Sequence, residues 1–310
     1  MVISISILIP AYNEEGCIEK QVAECLDFFD KKKLNGEVIA INDGSTDSTA
    51  TILKKLEKRD KRIKVLSHKR NFGKSAALNL GFENASGDLV VLLDADLQYD
   101  VNEITKMIKK IREGYDIVTG WRKNRKDDIF RNTSSWIYNS LINFIFGLDV
   151  HDSNSGMKCM RREVIETIVL AAEEHRYILP LAKRRGFKIS EVVVTHYPRK
   201  LGKSKYGTFR LFVGFLDMLT LKLHFAFSNK PMLLFGTSGL LLLLLGFLTG
   251  LYLVYTKFVY GVSIGTRPLF FASILFLLMG LNIFFVGIVA DFQSRINNKV
   301  EKLIQERKND

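Results

Sequence analysis

Two long stretches without a charge decide most of what this chain can become. Between Lys230 and Lys257 runs PMLLFGTSGLLLLLLGFLTGLYLVYT, with no Asp, Glu, Lys or Arg. A second uncharged run, 268–290, lies between Arg267 and Asp291. At about 1.5 Å per helical residue, each exceeds the roughly 30 Å hydrocarbon core of a bilayer. A soluble domain of this size seldom buries two such helices. The runs therefore read as two membrane spans (about 231–256 and 268–290) within 229–291, joined by a short loop.

Charge next to the spans sets an orientation. The segment before the first span is strongly basic, and the tail 292–310 carries Arg295, Lys299, Lys302, Arg307 and Lys308. Positive-inside logic places both chain ends and everything before the spans in the cytosol, at the cytoplasmic membrane. Tyr252, Tyr255 and Tyr260 mark one interface as an aromatic belt. Gly236, Gly239 and Gly246 are small enough to let spans pack closely, which leaves room for a homo-oligomer.

The part before the spans, 1–228, has a different grammar. Short β-rich runs at 2–9, 37–41, 62–67, 88–93 and 115–119 alternate with helical patterns at 16–31, 47–59, 73–85 and 102–113. That alternation predicts βαβ units and an α/β domain with a mostly parallel central sheet. Such sheets bind ligands at the carboxyl ends of their strands. The first run contains Ser4, ends in Pro10 and lacks the pattern of a secretory signal. Cys17, Cys25 and Cys159 are widely spaced and form no CxxC pair, which argues against a structural zinc site or a disulfide scaffold and fits a reducing compartment. Two further segments, about 129–146 and 206–228, mix aromatic and aliphatic residues with Arg131, Arg210 and Lys222. Both suit the headgroup plane of a membrane.

The strand ends carry the chemistry. VVLL runs into Asp94-Ala95-Asp96, then Gln98. Two neighbouring carboxylates repel unless a cation or a proton intervenes, and a hard divalent ion completed by diphosphate oxygens suits them. The first strand ends in PAYNEE (10–15), with Tyr12 able to stack on a base. The second ends in NDGSTD (42–47), where Asp43-Gly44 makes a tight turn, Asp47 caps the next helix, and Asp43 is free to accept from a base or ribose. HKRNFGK (68–74) adds cations and a glycine beside a helix start, without Walker A or GxGxxG spacing. Arg199, Lys200, Lys203, Lys205 and Arg210 form one basic run, and 122–126 holds four more basic residues. The net charge of +12 suits a phosphorylated substrate or an anionic surface. A nucleic-acid partner is disfavoured by the spans and by the lack of any recognition motif.

In combination PAYNEE, NDGSTDST, RNFGKSAALNLGF, GDLVVLLDADLQ and SGMKCMRR resemble the GT-A-fold, family 2 glycosyltransferases. More closely, the chain resembles polyprenyl-phosphate sugar transferases: dolichyl-phosphate mannose synthases and, nearest, the two-span undecaprenyl-phosphate glucosyltransferases. The resemblance covers roughly 3–228 and the spans that follow. It implies that Pro10, Ala11, Tyr12, Glu14, Asp43 and Lys74, with Asp94, Ala95 and Asp96, hold the nucleotide sugar. Asp94, Asp96 and Gln98 match the group that holds Mg2+ or Mn2+ with the donor diphosphate. Arg122, Arg131, Ser135, Arg199 and Lys205, with Ser204, match positions around the acceptor phosphate. His175-Arg176 resembles a pair beside the active site.

The implied reaction inverts an α-linked nucleotide sugar into a β-linked lipid phosphate sugar. UDP-glucose is the first-choice donor and a polyprenyl phosphate the acceptor. UDP-N-acetylglucosamine, UDP-galactose and GDP-mannose as donors, and a lipid hydroxyl as acceptor, are the alternatives. A processive synthase is disfavoured because there is no QxxRW segment. A membrane scaffold that binds nucleotide sugars without turnover is disfavoured by the intact acidic motif and basic rim. Two-span enzymes of this group form tetramers, which the resemblance extends to this chain.

Overall fold

The structure, a computed structural model, describes residues 3–123, 139–171, 173–198, 230–261, 263–265 and 267–309. The chain forms two compact units, 1–212 and 213–310.

The first unit is built on seven strands. They are β1 (Ser4–Ala11), β2 (Asn35–Asn42), β3 (Ile63–Ser67), β4 (Leu89–Leu92), β5 (Ile117–Trp121), β6 (Lys158–Arg161) and β7 (Ile189–Val193). Their order across the sheet is β3-β2-β1-β4-β6-β5-β7. Helices α1 (Ile18–Lys32), α2 (Thr49–Arg59), α3 (Lys74–Asn84) and α4 (Ile104–Arg112) connect the early strands. Shorter helices α5 (Arg162–Thr167) and α6 (Ile178–Arg184) follow β6.

Burial explains the strand sequences. A parallel sheet covered on both faces needs nearly continuous apolar strands. Ile7, Leu8 and Ile9, Val38 to Ile41, and Val90 and Val91 are each fully buried. Pro10 fits inside β1 because β4 pairs with β1 only through Ile5–Leu8. Beyond Leu8 a missing N–H therefore breaks no β4 ladder bond.

The parallel expectation holds for β1 with β2 and β4, for β2 with β3, and for β5 with β7. The exception is β6, which the alternating pattern did not foresee. It runs antiparallel between β4 and β5. Its first residue, Lys158, pairs with Leu92 and Thr119. An antiparallel strand starts where its neighbours end, so β6 enters the sheet at the carboxyl edge of β4 and β5.

The second unit contains helices α7 (Pro231–Tyr260) and α8 (Pro268–Asn309), packed against each other. Each has a stretch long and apolar enough to cross a membrane, Pro231–Tyr260 and Pro268–Ile296. The contact between them is a seam of small residues. A Cβ on Gly239 would lie 2.8 Å from the Gly280 carbonyl oxygen and 2.8 Å from the Phe284 nitrogen. One on Gly246 would lie 2.9 Å from the Leu277 nitrogen, and the Ser273 hydroxyl donates 2.8 Å to the Gly246 carbonyl. The close span packing that Gly239 and Gly246 suggest in the sequence is thus found within the chain's own hairpin. Large apolar side chains such as Leu241, Phe247, Phe271 and Val289 face outward. Tyr252, Tyr255 and Tyr260 are exposed, with Tyr255 and Tyr260 packed edge to face.

Candidate active site

The loops after β1 and β2 are stitched into one wall. Asn13 adopts a left-handed backbone (φ 57°), a conformation Asn tolerates better than most residues. Its carboxamide oxygen accepts from the Thr46 N–H at 2.8 Å, and its own N–H donates to the Ser45 hydroxyl at 3.0 Å. The Glu14 N–H donates to the Thr49 hydroxyl at 2.9 Å. Asp47 accepts from the Thr49 N–H, the first residue of α2, at 3.0 Å, so it caps that helix as the sequence suggested. Burial works against the Asp47 carboxylate, but its bonds from Thr49 hold its pKa below the usual range. Ala11 is buried, while Pro10, Tyr12 and Glu14 are half-buried along the same edge.

Asp43 is not free. It is buried, and its carboxylate accepts from the Phe72 N–H at 3.0 Å and the Gly73 N–H at 2.8 Å, with the His68 ring nitrogen at 2.7 Å. Its first task is to fold the 68–73 loop back over β2. Gly44 (φ 66°) is needed for that closure, since a Cβ there would meet the Arg70 backbone at 2.2 Å. Phe72 is exposed beside it, with the Arg70 guanidinium 4.8 Å above its ring.

The acidic loop after β4 is bent by one residue. Leu97 is left-handed (φ 59°), which costs a side-chain-bearing residue roughly 1–2 kcal/mol. Asp94 and Asp96 lie in the turn that follows β4, and Leu97 redirects the chain after them. The Lys74 ammonium pairs with Asp94 and also feels the charge of Asp96, so both carboxylates border one cation. Burial alone would raise the Asp94 pKa. Lys74 and then Lys158 override it and hold it below the ordinary carboxylate range.

On the far side of Asp94, Gly156 leaves room for the carboxylate. A Cβ there would sit 2.1 Å from Asp94 Oδ2. Gly156 is fixed in turn by Tyr99, whose hydroxyl accepts from the Gly156 N–H at 2.8 Å and lies 3.3 Å from the Ser155 hydroxyl. Gln98 ties the loop to the segment after β7. Its amide nitrogen reaches the Tyr197 carbonyl at 3.3 Å, and the Tyr197 N–H donates to the Gln98 carbonyl at 2.8 Å.

Arg122 follows β5 and is clamped by Asp152. Nε donates at 2.6 Å to one oxygen and Nη2 at 2.9 Å to the other. Burial opposes its charge, but Tyr99 and Asp152 outweigh that, so the guanidinium pKa rises. Lys158 is buried and donates to the Ser155 carbonyl. Burial and then Lys74 push its ammonium down to about 7, against the pull of Asp152 and Asp94. His175 lies against α3, its ring nitrogen 3.2 Å from the Ser75 hydroxyl. Burial, Lys74 and Arg176 push it down to about 3.

Asp94, Asp96, Lys74, Arg122 and Lys158 therefore form one electrostatic cluster at the carboxyl edge of β4 and β5. Arg131, Ser135, Arg199, Ser204 and Lys205 lie outside the described residues, as do most of the two expected interfacial segments. Asp152, Gly156, Tyr99 and Lys158 were not singled out from the sequence. Gly156 and Lys158 stand in the quoted SGMKCMRR, which was their one available signal.

The donor set fits a divalent metal in one particular way. No group of three His, Cys, Asp or Glu side chains converges among the described residues, so there is no closed cage. Asp94 and Asp96 offer hard oxygens, one already shared with Lys74. Such a site suits an ion that keeps waters and takes its remaining ligands from substrate phosphates.

Residues 6–169, more than half of the chain, match the family described as Glycosyl transferase family 2. The chain belongs to that family. This glycosyltransferase is 35% identical over 301 residues to a dodecaprenyl-phosphate galacturonate synthase of Rhizobium johnstonii, covering 94% of this chain and 88% of that protein. It is 31% identical to an undecaprenyl-phosphate 4-deoxy-4-formamido-L-arabinose transferase of Photorhabdus laumondii, over 96% of this chain and 90% of that one. These relatives are polyprenyl-phosphate sugar transferases. Among solved structures it is similar to the glucosyl-3-phosphoglycerate synthase of Mycobacterium tuberculosis in complex with Mn2+, UDP and phosphoglyceric acid. There the TM-score is 0.52 at 24% identity, over 70% of this chain and 78% of that one. The mannosyl-3-phosphoglycerate synthase of Rubrobacter xylanophilus gives a TM-score of 0.56 at 16% identity, over 71% and 74%. The fold of this family 2 glycosyltransferase is GT-A-like, with a mostly parallel sheet.

Proposed function

We propose that this glycosyltransferase moves a sugar from a nucleotide sugar to a polyprenyl phosphate at the cytosolic face of the cytoplasmic membrane, inverting the anomeric centre. The observation that carries this reading is the joining of two features in one chain. Paired carboxylates adjoin half-buried Lys74 and Arg122 and buried Lys158 at the sheet's carboxyl edge, and an apolar helical hairpin follows. Relatives that match both parts over nearly their whole length and act on polyprenyl phosphates support it. The domain assignment follows: a catalytic domain over 1–228, spans within 229–291 and a cytosolic tail over 292–310.

In the reaction, a phosphate oxygen of the lipid bonds to the anomeric carbon. The bond from that carbon to the donor's β-phosphate oxygen breaks, and its electron pair leaves with the nucleoside diphosphate. Asp94 and Asp96, with Gln98, would hold Mg2+ or Mn2+, which when bound neutralises charge on the leaving diphosphate. Lys74 stands beside that group as a further cation. Pro10, Ala11, Tyr12, Glu14 and Asp43 line the nucleotide's wall. Arg122, with Arg131, Ser135, Arg199, Ser204 and Lys205, serves the acceptor phosphate. The acceptor is anionic near neutral pH, so it needs no dedicated general base. UDP-glucose heads the donors, and the relatives' sugars widen the panel to galacturonate and 4-deoxy-4-formamido-L-arabinose.

The test is transfer by the purified full-length protein with one polyprenyl phosphate, Mg2+ or Mn2+, and a panel of UDP- and GDP-sugars. One donor should give a β-linked lipid phosphate sugar. Asp96→Asn should lose at least about a hundredfold in turnover, like the loss of other charge-stabilising groups, while keeping its melting temperature. Absence of transfer from every donor, or near-wild-type turnover of D96N at saturating metal, would refute the reading.

A further inference from the structure

The cations around Asp94 are not equivalent. Lys74 is paired with Asp94 and Arg122 with Asp152. Lys158, 3% exposed, makes no ion pair within the described residues and donates to the Ser155 backbone carbonyl. A buried ammonium without a carboxylate partner destabilises a protein, and an apolar side chain of similar length would fill the space without that cost. A perturbed buried cation among the charged groups of such a site marks a candidate functional residue.

The sheet says which anion. As the first residue of β6, Lys158 stands between Leu92, two residues before Asp94, and Thr119, three before Arg122. If the donor diphosphate sits at Asp94 and Asp96, an oxygen attacking the anomeric carbon must come from beside it. On this sheet the neighbouring strand in that direction is β6, with β5 and Arg122 beyond. The Arg122 guanidinium is already engaged through two of its nitrogens by Asp152 and the Asn154 carbonyl.

We propose that Lys158 is the cation that receives the acceptor's monophosphate in the attacking position, with Arg122 and Asp152 as its supporting wall. The proposal rests on the polyprenyl-phosphate reading above. The ammonium pKa of about 7, lowered by burial and by Lys74, fits a group whose charge an arriving phosphate would fix. Asp94 and Asp152 supply only partial compensation from a distance.

The experiment compares wild type, Lys158→Met and Lys158→Arg as purified full-length proteins, varying polyprenyl phosphate and nucleotide sugar separately. Lys158→Met should raise KM for polyprenyl phosphate at least about tenfold, one step of 1.4 kcal/mol. KM for the donor and the affinity for UDP should stay within about twofold of wild type, which also shows that the variant is folded. Lys158→Arg should recover most of the loss. An unchanged acceptor KM in a variant that still binds UDP overturns the proposal. So does a loss confined to donor KM and UDP affinity, which would assign Lys158 to the diphosphate. If wild type transfers no sugar from any donor, the functional reading fails on its own. Titration of a short-chain prenyl monophosphate, with inorganic phosphate in parallel, then decides Lys158. Weaker prenyl phosphate binding by Lys158→Met supports the assignment, and equal binding by both proteins overturns it.

Discussion

Gly156→Ala tests whether the site depends on the placement of Asp94. The added Cβ would lie 2.1 Å from Asp94 Oδ2 and 2.7 Å from its Cγ. Ordinary contacts between heavy atoms fall at roughly 3.5–4.0 Å, so the carboxylate must withdraw by more than about 1 Å. It cannot simply rotate away, because its other oxygen is held by Lys74. Nor can Gly156 retreat easily, since its N–H is bonded to the Tyr99 hydroxyl at 2.8 Å. A misplacement of about 1 Å at a reacting centre costs on the order of a hundredfold, or about 2.7 kcal/mol of transition-state stabilisation. The clash involves the end of a side chain rather than backbone, so the fold should survive with little change in melting temperature. The assay is kcat/KM for the nucleotide sugar as metal concentration is varied, with thermal melting alongside. A G156A protein that melts like wild type and keeps kcat/KM within about twofold would refute the claim that Asp94 must sit where it does.

Three further outcomes follow from the packing and the charges. Asp152→Asn removes one partner of a buried bidentate pair, which costs about 3–5 kcal/mol. The full-length protein should then melt roughly 10 °C lower by scanning fluorimetry, and a shift under about 2 °C would contradict the pairing. Gly239→Leu forces a side chain against the Gly280 carbonyl and the Phe284 nitrogen, so it should destabilise the α7–α8 hairpin in detergent. Gly265→Leu, where no atom lies within 4 Å of the new Cβ, should melt like wild type. His175 is depressed to about 3 when folded, against 6.5 in the unfolded chain. Its contribution to stability is therefore fully present above pH 6.5 and is lost as pH falls toward 3, by at most about 1.4 kcal/mol per pH unit. Melting temperature plotted against pH should be flatter for His175→Gln than for wild type in that window, and parallel curves would refute the assignment.

Local patterns carried the element order well. The expected strands at 2–9, 37–41, 62–67 and 88–93 overlap β1 to β4; the inner strands are legible because a strand buried on both faces must be largely apolar, while the edge strand β3 leaves Lys64 and Ser67 exposed. Helix boundaries at 18–32, 49–59 and 74–84 fall within two residues of expectation. The early members of the site were legible for a related reason. Asp43 and Asp94 interrupt apolar runs, and a charge just past a buried strand marks the sheet's carboxyl edge. Asp152, Gly156 and Lys158 gave no such signal. They follow a long connection after β5, and nothing local says that β6 returns antiparallel between β4 and β5.

The sequence alone determined that one part of this chain is an α/β domain and another is two apolar helices. Hydrophobic periodicity and the absence of charge depend only on neighbours along the chain. The sequence also placed carboxylates at the ends of the strands. Only the tertiary structure decided what those carboxylates touch. It showed Asp43 bonded to the 68–73 loop, Asp94 shared between Lys74 and the space left by Gly156, and Arg122 closed onto Asp152. It also placed the close packing that the glycines suggested in the seam of a single hairpin. Pairing partners distant in sequence are set by sheet order and by helix packing, and these have no local code. For that reason the pairing state of Lys158 became visible only once β6 was in its place.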